Sequence, residues 1–137
     1  MKRARLVGWK KTVLTRARVI RFATVNGDGT VHVVPVCPVM DGGAIYIGSD
    51  KSGRKMTNIR RRPRVGLVAD HYVDSWKGLR GVAVAGRADV FTTGAVIERA
   101  RRLLYRKYPQ YERVAALDPS DSVIIRVTPS EVMSWRY

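Results

Sequence analysis

Residues 19–48 confine the fold more tightly than any other stretch, because glycine turns cut three β-branched runs apart there. Val19–Val25 is rich in residues with stiff χ1 angles and strand preference. Asn26-Gly27-Asp28-Gly29 follows, and Asn-Gly is a strong hairpin signal because both residues accept positive φ. Thr30–Val39 reads as the return strand, Asp41-Gly42-Gly43 as a second turn and Ala44–Gly48 as a third strand. The expectation is a meander of three sequential antiparallel strands.

The pattern then changes. Ser49–Gly53 is a polar loop, and Arg54–Arg61 reads as a short helix with Ser52 as its N-cap and Pro63 preventing its continuation. Arg64–Asp70 is a fourth strand, and a loop with Tyr72 and Trp76 leads to a long one over Leu79–Phe91. Gly86 inside that strand predicts a bulge or bend. Ile97, Ala100 and Leu104 recur at helical spacing within Gly94–Tyr108, where Pro109 stops the helix. The last strand is Ser122–Val127, resuming over Val132–Trp135 after Pro129. With 137 residues and no linker or repeat, the whole chain, 1–137, reads as one domain. About six strands with two or three short helices predict a mainly β (β+α) fold, a small antiparallel barrel with helical covers.

Charge narrows the partners. Lys and Arg number 26 against 11 Asp and Glu, a formal +15 that attracts polyanions or ligands carrying phosphates and carboxylates. The single cysteine, Cys37, excludes an internal disulfide. No apolar run reaches the ~20 residues a membrane helix needs, and Lys10 and Lys11 interrupt the start. A cytoplasmic protein is expected. His32 and His71 are the only histidines, with no zinc-ligand spacing, no nucleophile elbow and no P-loop or Rossmann glycine pattern. His32, alternating with Val31 and Val33, reads as a surface or satisfied strand histidine. No catalytic acid–base residue is assigned.

Two features remain. Thr30–Val39 is apolar at both alternating sets of positions, so one set faces an interior and the other needs a cover: a helix, a second subunit or a flat ligand. Pro35 and Pro38 cannot donate to a ladder, which makes this strand irregular or an edge, with the amide of Val36 free for a planar heterocycle. A doubly buried core strand explains the same pattern. The second feature is Ser49–Asn58, which joins a strand to a helix N-terminus with unpaired amides and a dipole favouring anions. Ser49 and Ser52 add hydroxyls, and Lys51, Arg54 and Lys55 add charge-assisted donors, as in a monophosphate cradle. A solvated basic loop is the alternative.

The ordered series V-x-x-V-P-V, a glycine turn, I-Y-I-G-S, S-x-K-x-x-R-K-x-x-N-I and R-x-P-R-V-G-L-V resembles the pyridoxamine 5′-phosphate oxidase-like split-barrel superfamily, from about Arg18 to Trp135. Its members bind FMN or the deazaflavin coenzyme F-420. The stretches 70–76, 84–88 and Lys107–Tyr111 are most similar to the deazaflavin-dependent group. The resemblance implies a split barrel and a homodimer with two cofactor sites at the subunit interface. It implies that Ser49, Lys51, Arg54 and Lys55 hold the cofactor phosphate. Backbone around Pro35, Val36, Ile47 and Gly48 would line the ring, Asn58 would take the amide position of that group, and Trp76 would reach a neighbouring site from the partner. The resemblance does not extend to the C-terminal substrate-binding segment of true pyridoxamine phosphate oxidases, so vitamin B6 oxidation is not the expected activity. The function expected is hydride transfer between bound deazaflavin or FMN and a small organic substrate. Alternatives are an FMN-binding protein without deazaflavin use or turnover, and a basic β-barrel module for nucleic acid, supplied by Arg60–Arg64 and the arginines of Gly94–Tyr108.

Overall fold

The computed structural model describes residues 2–137. It contains α1 (Gly8–Arg16), β1 (Ile20–Val25), β2 (Val31–Val36), β3 (Pro38–Asp41), β4 (Ala44–Asp50) and α2 (Arg54–Arg61). These are followed by β5 (Arg64–His71), β6 (Arg80–Phe91), α3 (Ala95–Lys107), α4 (Tyr111–Val114) and β7 (Ser122–Arg136). The strands form one antiparallel sheet in the order β2-β1-β5-β6-β7-β4-β3.

That order carries its own three-dimensional consequence. β2 and β3 are the two edges of the sheet, yet only Cys37 separates them in sequence. Two residue steps reach at most ~7 Å, so the edges must meet and the sheet must curl into a barrel with a seam. The expected single strand over 30–39 is therefore two strands, making seven instead of six, and the three-strand meander is broken at Cys37. Pro38 has no N–H with which to extend the β2 ladder, but Pro35 is accommodated inside it, so the break is set by closure of the barrel and Pro38 only permits it.

Both turns form, by different means. Gly42 and Gly43 have φ of 59° and 80°, the two positive values a two-residue hairpin between Asp41 and Ala44 requires. In the first hairpin neither Asn26 nor Gly27 takes positive φ; the amide of Gly29 donates to Asn26 O and Gly29 itself has φ 89°. This is a type I turn closed by a left-handed glycine. The bulge expected at Gly86 is present, between the pairs Ala85–Glu131 and Gly86–Pro129, and Ser130 is the extra residue. A Cβ at Gly86 would collide with the carbonyl of Thr128. Because the bulge absorbs Pro129, β7 runs unbroken for 15 residues, and the expected interruption there does not occur.

The barrel interior is packed by Phe22, Ile20, Ile45, Ile47, Val82 and Ile125, with Met56 of α2 and Leu14 of α1. The first helix, α1, was not expected: only Val13 and Leu14 of its nine residues are buried, too few for an apolar period. It packs against β5, β6 and β3. Helix α3 lays Ile97, Ala100 and Leu104 over the outer face of β3, β4 and the first half of β7. Among the described residues no helix covers the outer face of β2, β1, β5, β6 and the second half of β7. There Val31, Val33 and Met133 are 61%, 58% and 66% exposed.

Candidate functional site

The seam is open on one side. Among the described residues β2 pairs only with β1, so its other edge has no strand neighbour. β3 starts opposite Ile47, so Gly48–Asp50 project beyond it and pair only with β7. Two free backbone edges thus converge on Cys37 and Pro38. Three residues after β4 ends, α2 begins, and Lys51 is tied by its amide to Asp121 O at 2.9 Å.

The start of α2 is electrostatically bare. Gly53, φ 117°, is the N-cap residue in place of the expected Ser52, and no side chain caps the helix. The first helical bond runs from Thr57 N to Gly53 O at 3.1 Å, leaving the amides of Arg54, Lys55 and Met56 without helical acceptors. The first turn holds no acidic residue. Lys51, Ser52 and Arg54 are exposed, and Lys55 is half-buried.

The other expected residues divide. Pro35 is exposed on the free edge, and Val36 is half-buried against the core. Ile47 has no exposed surface, and Leu117 lies where a Cβ of Gly48 would be, so only backbone of this pair is available to a ligand. Ser49 is buried, with its hydroxyl donating to Asp50 O at 3.1 Å. Asn58 is buried, and its Nδ2 donates to Thr24 Oγ1 at 3.0 Å and Asn26 Oδ1 at 2.9 Å. It ties α2 to β1, with both amide protons committed.

Trp76 is not brought to this group within one chain. It sits in the β5–β6 loop, 6.3 Å from the ring of Tyr137, with φ 63°. Helix α2 enters β5 at the opposite end, and the eight residues of β5 span roughly 23 Å.

One neighbour was missed. Arg54, Thr57, Asn58 and Arg61 follow helical spacing and, with Asn26 and Gly27, line a cleft of about 370 Å³ between α2 and the first hairpin. The Arg61 guanidinium lies where a Cβ of Gly27 would be. The i, i+3, i+4, i+7 spacing was the available signal. Asp28, on the same hairpin, has its carboxyl held below the usual range, first by the Thr30 hydroxyl and amide and also by Arg54. Nδ1 of His32, on β2, is buried with no hydrogen-bond partner among the described residues, so of the two expectations, a surface or a satisfied strand histidine, the second does not hold.

A cluster at the closed end of the seam staples α3 to it. Lys107 Nζ donates to Ala17 O at 2.7 Å and Pro38 O at 2.8 Å, and the Tyr108 hydroxyl donates to Pro38 O at 2.9 Å. Burial, followed by the nearby Arg18 charge, pushes Lys107 down to about 8. Burial pushes Tyr108 up and Tyr111 up to about 12.

Comparison with known proteins agrees with this architecture. The sequence signature described as pyridoxamine 5′-phosphate oxidase matches residues 10–136, so the chain belongs to that family. A conserved hypothetical protein, Rv2991 of Mycobacterium tuberculosis, superposes with a TM-score of 0.83 at 22% identity, covering 99% of this chain and 89% of the other. An F420 reductase superposes at 0.72 with 25% identity, over 90% and 94% of the two chains. An FAD-binding protein of Mesorhizobium loti gives 0.75 at 24% identity, over 90% and 87%. No curated protein sequence matches the chain. The family and its neighbours define a split barrel with flavin-binding relatives. Among the described residues, no helix is long and apolar enough to cross a membrane.

Proposed function

We propose that this chain binds an anionic flavin-type cofactor, the deazaflavin coenzyme F-420 or FMN, in the notch between the free edge of β2 and the start of α2. The observation that carries the reading is the uncapped α2 N-terminus, without an acid in its first turn and beside Lys51, Arg54 and Lys55. Unpaired amides, the helix dipole and three cations are the donor set a phosphate requires. The cofactor, once bound, supplies hydride transfer to or from a small organic substrate, making the protein an oxidoreductase. The chain's own contribution is placement. Arg54 and Lys55 hold the phosphate, and the free backbone of β2 at Pro35 and Val36 offers hydrogen bonds to a planar ring. Asn58 keeps α2 fixed relative to β1 through Thr24 and Asn26.

Deazaflavin suits the charge better than FMN. Among the described residues only Arg87, Arg99, Arg101 and Arg126 form ion pairs with carboxylates, out of 26 cations in the chain. A multiply anionic cofactor tail gives that excess a counter-charge. The similarity to an F420 reductase supports the same choice.

The active unit in this reading is a homodimer. The uncovered sheet face, with Val31, Val33 and Met133 more than half exposed, needs a cover, which a second copy of the chain supplies. Fluorescence titration with F-420 and with FMN tests the cofactor assignment. Saturable micromolar binding of one of them is expected; binding of neither refutes it.

A further inference from the structure

The uncovered face carries two charges of opposite sign. Register places Arg21 of β1 in one row with Val68, Ala83 and Met133, and Glu131 of β7 in the next row with Ala85, Gly66 and Ala23. Both charges are exposed, and neither has an ion-pair partner among the described residues of its own chain. β5 and β6 lie between them, so three strand spacings put them roughly 14 Å apart, too far to pair within the chain. The ground between is low and apolar, with Gly66, Ala83 and Ala85 and only Val68 rising from it, which lets a second sheet approach closely. Together they line an apolar groove of about 580 Å³.

A two-fold interface juxtaposes a residue i with j and j with i. An axis lying in the plane of contact and passing between β5 and β6 sets the cation of one copy against the anion of the other, twice. We infer that a second copy of this chain covers the groove, with Arg21 of each protomer paired to Glu131 of its partner, and that this reciprocal pair fixes the register of the dimer. Opposite charges flanking a flat apolar centre are self-complementary only in this arrangement. A sliding or rotated contact leaves a cation or a carboxylate against alanine and glycine, desolvated and unpaired, which is the cost that selects the register. This inference rests on the homodimer proposed above and adds to it the contact that orients the two copies.

The test is a charge-reversal cycle read by sedimentation equilibrium, with circular dichroism confirming that each variant is folded. Both residues are exposed, so the fold should tolerate reversal. Arg21→Glu and Glu131→Arg should each weaken the dimer by at least about tenfold, because like charges then meet at two symmetric places. The double reversal should bring dissociation back to within about threefold of the wild type. A dimeric wild type with single variants of unchanged affinity, or a double variant no better than the singles, overturns the pairing and leaves the dimer standing. A wild type that stays monomeric at every concentration overturns both.

Discussion

Asn58 separates a residue that builds the site from one that merely waits for a ligand. In the structure it is 3% exposed, and both of its amide protons are committed, to Thr24 Oγ1 and Asn26 Oδ1. Replacing it with Ala removes two hydrogen bonds, each contributing about 1 kcal/mol net. It also leaves the carbonyl of Asn26 without the donor it now has. The expected loss is about 2–3 kcal/mol of stability in the absence of any cofactor. For a chain of this size that is a fall of roughly 6–12 °C in Tm. Urea unfolding of the cofactor-free wild type and of Asn58→Ala measures it directly. Asn58→Asp, nearly the same shape, puts an acceptor where a donor is needed against Asn26 and should lose a comparable amount. A loss below about 0.5 kcal/mol in both variants would refute the argument. It would mean that α2 is held to β1 by Met56 and Ile59 alone, leaving Asn58 free for a ligand.

Other outcomes follow from the same geometry. Arg54→Ala and Lys55→Ala should each weaken cofactor binding tenfold or more, since a charge-assisted bond contributes roughly 1.5–3 kcal/mol; unchanged affinity in a fluorescence titration would place the phosphate elsewhere. Lys107 is held near 8 in the folded protein against an ordinary 10.5, so between those values the unfolded chain binds a proton that the folded one does not. Stability should therefore rise with pH across that window, and Lys107→Met should flatten the rise in urea midpoints. Tyr111, held up to about 12 against an ordinary 10, acts in the opposite sense: above pH 10 the unfolded chain ionises first and stability falls. Gly86→Ala should destabilise by about 2 kcal/mol or more, because the new Cβ meets the Thr128 carbonyl inside a bulged strand pair that has little room to relax; an unchanged Tm would show that the bulge yields.

Much of this molecule was readable from local chemistry. Glycine and asparagine at the turns, Pro63 and Pro109 beyond the helices, and the apolar spacing of Ile97, Ala100 and Leu104 all act over a few residues, so α2, α3, both hairpins and the Gly86 bulge were legible. The basic loop before α2 was legible for the same reason. Helix α1 was not, because its two buried residues leave no period and its place comes from the barrel it packs against. The cap passed from Ser52 to Gly53 because the chain leaves β4 with a φ that glycine adopts at low cost.

The sequence by itself determined where strands and helices occur and how strongly the surface is charged. Only tertiary structure decided that Cys37 joins two sheet edges, since a run of alternating valines looks the same whether it stays in one strand or crosses a seam. Closure also buried Ile47, set Leu117 over Gly48, used up the amide of Asn58 and put Trp76 a strand's length from α2. Those outcomes depend on contacts between residues far apart in the chain, about which local propensity carries no information. What a residue offers a ligand is whatever the closed barrel leaves unsatisfied, and at the start of α2 that is a row of bare amides among cations.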